Sequence, residues 1–279
     1  MLFYKLLCMK LNLYSILLFL MLCLGWTKTL AQADALVPKT TAQKAFKDGE
    51  WFEFRIHYGV FNASRVSLEI TADTLDQVPV FHAKGYGRTT GLARLFFKVE
   101  DYYQSYFGQH DGLPRWFLRD IDEGGYTKDL EIFFDHETRE AMVKDKKKKA
   151  TSKHEINENA QDLISAFYYL RNFYDTTDIK KGESIKLNMF FDQENYLFKL
   201  RFLGRETLET AFGKVRCLKL RPLVQSGRVF SEQESVTLWV SDDANKIPIR
   251  LRADLRVGSI DCDLEKFKNL QHPFEIVLN

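Results

Sequence analysis

The chain has 279 residues, with 40 Lys and Arg against 38 Asp and Glu, 14% aromatic residues and four cysteines. Near-balanced charge removes the broad basic field that nucleic acid requires, so no nucleic-acid partner is expected. The cysteines form no Cys-x-x-Cys pair and lack neighbouring histidines, which points away from redox and zinc chemistry.

Residues 1–31 read as an export signal: Lys5 and Lys10 supply positive charge, Leu11 to Leu24 is apolar, and Thr29-Leu30-Ala31 offers a small-residue cleavage site before Gln32. Two readings compete with a cleaved signal. One is an uncleaved anchor, although the apolar run is shorter than the roughly 20 residues of a spanning helix. The other is a lipoprotein processed at Cys23, where bulky Leu22 occupies a position that favours a small residue. Loss of Lys5, Lys10 and Lys28 lowers the 40 basic side chains to 37 against 38 acids, a formal net charge of −1.

A polar entry, residues 32–48, leads into residues 49–279, which read as a single antiparallel β domain. Phe52, Phe54, Ile56 and Tyr58 alternate with polar neighbours, as do Val66, Leu68 and Ile70, with a turn marked by Gly59 and Asn62 between them. Val78 to Thr89 continues the pattern, and Gly85 and Gly87 within it predict a bulge or bend. Leu92, Leu95 and Phe96 predict a short helical turn before the aromatic strand Asp101 to Phe107. Strands then follow around Trp116 to Ile121, Leu130 to Phe134 and Arg139 to Lys144, and the lysine run from Lys144 to Lys149 reads as a solvated hairpin tip.

Asn159 to Tyr174 is the one long helix predicted in the chain, and Leu163, Ala166, Phe167, Leu170 and Tyr174 fall on one stripe of a 3.6-residue turn. Asn159 is expected to cap it, with Asp162 in the first turn facing the positive end of the helix dipole. Strand alternation resumes at Ile185 and is cleanest from Val236 to Val257, where apolar residues alternate with Arg250, Arg252, Asp254 and Arg256. One apolar and one polar face per strand is the habit of antiparallel sheets. The predicted fold is mainly β: a large, strongly curved antiparallel sheet or open barrel with one main helix on its concave face.

No Ser elbow, P-loop, dinucleotide glycine motif or His-Glu-x-x-His pair occurs after the signal, and the six histidines lack ligand spacing. No catalytic residue, metal or cofactor is assigned on these grounds. The doublet Asp242-Asp243 has the composition of a turn. Cys217 and Cys262 either form one disulfide or remain two buried thiols. Large rings out of phase with the buried face, Trp51, Phe133 and Trp239 among them, suggest that both sheet faces are partly covered, or that an apolar groove exists which helix movement exposes.

At Gly49-Glu50-Trp51-Phe52-Glu53-Phe54, Glu100-Asp101-Tyr102-Tyr103, Gly112-Leu113-Pro114, Gln161 to Arg171 and Leu238-Trp239-Val240-Ser241-Asp242-Asp243, the chain resembles an uncharacterised bacterial envelope family, the domain of unknown function DUF3108. The resemblance runs from about Asp48 to Leu264 and brings no catalytic residue with it. It implies a periplasmic β-rich domain whose layout looks like the incomplete barrels of the lipoprotein carriers LolA and LolB.

The leading expectation is a non-enzymatic protein of the bacterial periplasm or envelope, binding a lipid or acylated chain between helix and sheet. Leu163, Phe167 and Leu170 are expected to line that space, with Trp51, Trp116 and Trp239 as further lining residues. Membrane contact, if present, is peripheral. The alternatives are a structural module holding envelope protein partners without a ligand, and a glycan hydrolase with two facing carboxylates.

Overall fold

The computed structural model describes residues 35–36, 38, 44–225 and 236–278. Expectations placed on the signal segment lie outside these residues. The described chain forms β1 (Ala35–Leu36), β2 (Trp51–Tyr58), β3 (Phe61–Leu75), β4 (Val78–Thr89), α1 (Gly91–Phe96), β5 (Val99–Gly108), β6 (Pro114–Glu123), β7 (Tyr126–Asp135), β8 (Glu140–Asp145) and β9 (Ala150–Glu155). It continues with α2 (Leu163–Phe173), β10 (Ser184–Phe191), β11 (Glu194–Thr210), β12 (Gly213–Gln225), β13 (Val236–Ser241), β14 (Pro248–Asp254) and β15 (Ser259–Lys268).

All strands belong to one sheet. The meanders β2 to β9 and β10 to β15 each pair strand with next strand antiparallel, β15 pairs with β2 to join them, and β1 adds a parallel strand to β10. The ladder does not close, because β9 and β10 are not paired. The chain between them crosses this seam: Asn195 and Asn188 donate side-chain amides to Glu155 and Glu158 carbonyls at 2.8 Å, and the Phe190 amide donates to Gln161 O at 2.9 Å. The fold class is therefore the expected curved, open antiparallel sheet with one main helix.

Local sequence accounts for the tight connections. Asp76-Gln77 and Asp192-Gln193 are two-residue hairpin loops with both residues left-handed (φ 49° and 67°; 47° and 67°), the turn geometry that matches the right-handed twist of paired strands. The expected bulge at Gly85 and Gly87 is absent: β4 keeps a continuous register with β3 and β5 there. Gly85 has a different role. A Cβ at this position would lie 3.3 Å from Ile164 Cδ1, so the missing side chain lets α2 approach the sheet.

The core forms around α2. Tyr168 joins Phe52, Ile70 and Phe107; Ala166, Tyr169 and Phe173 join Ile185, Leu200, Phe202 and Leu220; Leu163 and Ile164 touch the cluster of Phe117, Ile132, Phe134 and Phe190. The helix thus reaches strands from both meanders. The outer face carries charge instead, with Arg55, Arg250 and Asp263 aligned across β2, β14 and β15, and Arg250 Nε donating to Asp263 Oδ1 at 2.5 Å.

Candidate functional site

Buried polar contacts hold α2 at both ends. At its start, Asp162 is the N-cap: its carboxylate accepts from the Ile164 amide at 2.7 Å, the Ser165 amide at 2.8 Å and Ser105 Oγ of β5 at 2.6 Å, while Ser165 Oγ accepts from the Asp162 amide at 3.0 Å. Burial pushes this carboxyl up to about 6, against the pull of the Ser105 hydrogen bond. The helix therefore runs from Leu163 to Phe173 rather than from Asn159 to Tyr174, and Asn159 sits before it in a left-handed conformation, φ 54°.

At the far end, Arg171 lies 3% exposed against Glu50, which is fully buried. Its guanidinium donates to both carboxylate oxygens, at 2.6 and 2.8 Å, and to the carbonyls of Asn245 and Ala45 at 2.9 and 3.1 Å. The rings of Phe46, Phe52, Phe167 and Tyr168 surround the cation within 5.7 Å. Asn172 accepts from the Ala45 amide at 2.8 Å, and Lys246 Nζ donates to Tyr174 O at 2.6 Å. Swinging this helix outward would strand a buried ion pair, so the geometry is that of a fixed plug and not of the moving lid that a helix-gated groove needs.

The two sides of the plug differ. Toward β4 and β5, Tyr168, Tyr169, Asn172 and Phe173 meet Phe46, Phe81, Phe107 and Gly112 with no room for a water molecule between them. A Cβ on Gly112 would come within 2.6 Å of the Phe173 ring. A separate crevice of about 190 Å³ opens at the β10 edge, between Pro38, Asn159, Tyr169, Tyr174 and Leu187.

Toward β11–β15 the helix is covered less fully. Leu163, Phe167 and Leu170 are only half-buried. They face a sheet surface whose cross-strand row runs Ile56, Cys262, Leu251, Leu238, Leu220 and Phe202. Within this row Cys262, Leu251 and Leu238 are half-buried, as are Val66, Phe198, Val240 and Ile260 nearby, whereas Thr237, Trp239 and Asp261 on the outer face of the same strands are buried. On the same inner face Ile56, Leu220, Phe202, Val236, Ala253 and Leu264 are buried, so the half-buried stretch is confined to the middle of β13–β15. The inner face of β11–β15, β2 and β3 thus stands opposite the half-buried stripe of α2.

A polar cluster closes the β5–β6 side of the interior. Asp101, Arg119 and Glu123 are 1%, 2% and 2% exposed, and Arg119 and Lys128 both donate to Asp192 Oδ1 at 2.6 Å. Burial pushes the Asp101 carboxyl up to about 7, with the Arg119 charge opposing it. These carboxyls are enclosed and reach no open cleft where a glycan could meet them. Among the described residues no group of three or more His, Cys, Asp or Glu is placed to hold a metal.

The six residues expected to line a site divide cleanly. Leu163, Phe167 and Leu170 are together on α2, half-buried and packed against the core clusters. The tryptophans are elsewhere, because each is one residue out of phase with its strand's inward positions. Trp51 lies under Lys268 Nζ at 4.9 Å, Trp116 packs edge-on to Tyr106 at 5.5 Å, and Trp239 donates Nε1 to Glu206 at 2.5 Å beneath Lys219 and Arg252. Trp51 and Trp116 are half-buried, whereas Trp239 is buried in the core cluster that includes Cys217 and Ile249. Cys217 and Cys262 are free and stand on opposite faces of the sheet, which excludes a bridge between them. Asp243 accepts from the Asn245 and Lys246 amides at 3.0 Å, the expected structural turn.

No curated protein matches the chain. A crystal structure titled as a beta-barrel-like protein of the domain of unknown function DUF1849 from Brucella abortus is similar at a TM-score of 0.49 and 9% identity, covering 84% of this chain and 100% of that one. The model of the protein family of unknown function DUF3108 matches residues 53–265, so the chain belongs to that family.

Proposed function

We propose that this is an exported envelope protein that binds an amphiphile without transforming it, holding the acyl chain between α2 and the inner face of β11–β15, β2 and β3. The observation that carries this reading is the half-buried apolar stretch Leu238, Leu251 and Cys262 on the inner face, set opposite the half-buried Leu163, Phe167 and Leu170 of α2. Half-buried apolar surface left facing water costs about 25 cal/mol per Å², and an acyl chain laid along it removes that surface from solvent. Leu163, Phe167 and Leu170 form one wall and Val66, Leu238, Leu251 and Phe198 the other. The fixed helix assigns entry to the open mouth of the barrel. Native mass spectrometry of the protein purified without detergent from a bacterial envelope is the test: adducts of lipid mass support the reading, and a bare polypeptide that also fails to take up added fatty acid refutes it.

A further inference from the structure

We propose that the barrel mouth formed by the β2–β3, β14–β15 and α1–β5 connections docks on a lipid bilayer. Val60, Phe61, Leu95, Phe96 and Val257 are 87%, 71%, 78%, 69% and 75% exposed, far beyond the scattered apolar exposure of an ordinary surface. They come from three separate segments brought to one rim. Tyr58 Oη donates to Val257 O at 2.9 Å, tying the end of β2 to the β14–β15 turn. The Thr90 amide donates to Ala63 O at 3.0 Å, tying the start of α1 to β3, and the Gly124 amide donates to Lys98 O at 2.8 Å, bringing the β6–β7 turn and Tyr126 alongside.

The rim adjoins the inner face invoked in the proposed function, on which this inference rests. Phe97 follows Phe96 and packs against the cluster of Ile56 and Val99, as do Val66, Ile260 and Cys262 of the inner face. A bilayer fits better than a flat protein partner, because single protruding side chains on separate turns around an opening each enter an interface independently. Charge supports a bilayer surface without net charge: Arg88, Arg94, Lys98 and Arg256 are interleaved with Glu100, Asp122 and Asp254, and Arg94 and Lys98 pair with Glu100 at 2.5 and 2.9 Å. Apolar insertion therefore dominates, and the binding should depend little on salt.

The test is co-sedimentation of the protein, processed after Ala31, with phosphatidylcholine vesicles, comparing the parent with a Phe61→Ser/Phe96→Ser/Val257→Ser variant. Parent binding that persists in high salt and falls about a hundredfold in the variant is expected, since each Phe withdrawn is worth roughly a tenfold change or more. Equal vesicle binding by parent and variant, or none by either, overturns the proposal. So does a concentration-dependent dimer of the parent that the variant loses, which would assign the rim to a second copy. Uptake of a soluble fluorescent fatty acid is measured in parallel: retained uptake in the variant shows an intact fold, and rim-dependent vesicle binding without fatty-acid uptake by the parent leaves docking standing while the acyl-binding reading fails.

Discussion

Replacing Glu50 by Gln tests whether the buried ion pair fixes the plug. Gln keeps the size of the side chain and removes its charge, so Arg171 retains a full positive charge at 3% exposure with the carbonyls of Asn245 and Ala45 as its remaining strong acceptors. Two charge-assisted hydrogen bonds, at 2.6 and 2.8 Å, are weakened together. Removing one partner of such a pair costs about 3–5 kcal/mol, and two charge-assisted bonds at about 1.5–3 kcal/mol each give the same range. In a domain of this size about 1 kcal/mol moves the melting midpoint by about 2–4 °C, so thermal unfolding followed by circular dichroism should fall by about 6–20 °C. Glu100→Gln, which removes the acid from the exposed pairs with Arg94 and Lys98, should barely move the midpoint. Glu50→Leu combined with Arg171→Met should recover much of the loss, because it leaves no stranded charge. A midpoint for Glu50→Gln within about 2 °C of the parent would refute the argument that this pair anchors the helix.

Further outcomes follow from the same geometry. Asp101, pushed from 3.8 to about 7, keeps its proton in the folded protein after the unfolded chain has lost it, so its contribution to stability is lost as pH rises from about 4 to 7 and is constant above. Asp101→Asn should therefore match the parent in denaturant titrations at pH 4 and gain up to about 4 kcal/mol over it at pH 8; a gain independent of pH contradicts the assignment. Asp162→Ala removes the cap and leaves Ser105 without its acceptor, a loss of about 2 kcal/mol in urea unfolding, and no loss would show that the cap is dispensable. Gly112→Ala places a Cβ against the Phe173 ring at φ 66° and should lower the midpoint, whereas Gly125→Ala, also left-handed at φ 93° but with open space around it, should cost less.

The strands and the helix were legible because both are written as local periods: Phe52, Phe54 and Ile56 declare one face at period two, and the Leu163 to Leu170 stripe declares a helix. What the stripe faces was not legible. Periodicity marks apolar residues without telling a packed face from a half-open one, and the most enclosed helix positions include Ser165, Arg171 and Asn172, which read as polar. Glu50 and Arg171 are 121 residues apart, so no local pattern joins them, although both fall within the motifs that carried the family resemblance. Asn159 was preferred as the cap over Asp162 because composition favours both residue types there, and only the position of Ser105 decides between them. The strand phase that marks Trp51 and Trp239 as outliers fits a covered sheet face as well as it fits an apolar groove, and periodicity alone does not choose between the two. The rim could not be read at all, since Phe61, Phe96 and Val257 meet only through the topology of the sheet.

The most direct test of the account is saturable binding of a fluorescent fatty acid by the parent and by Leu251→Trp. This substitution enlarges the side chain between Leu238 and Cys262, at the centre of the proposed acyl site, and leaves the Glu50–Arg171 anchor untouched. The account predicts one site on the parent, displaced by a lysophospholipid, and at least about tenfold weaker binding by a variant that melts like the parent. Equal binding by both proteins, or no saturable binding by the parent, would contradict it.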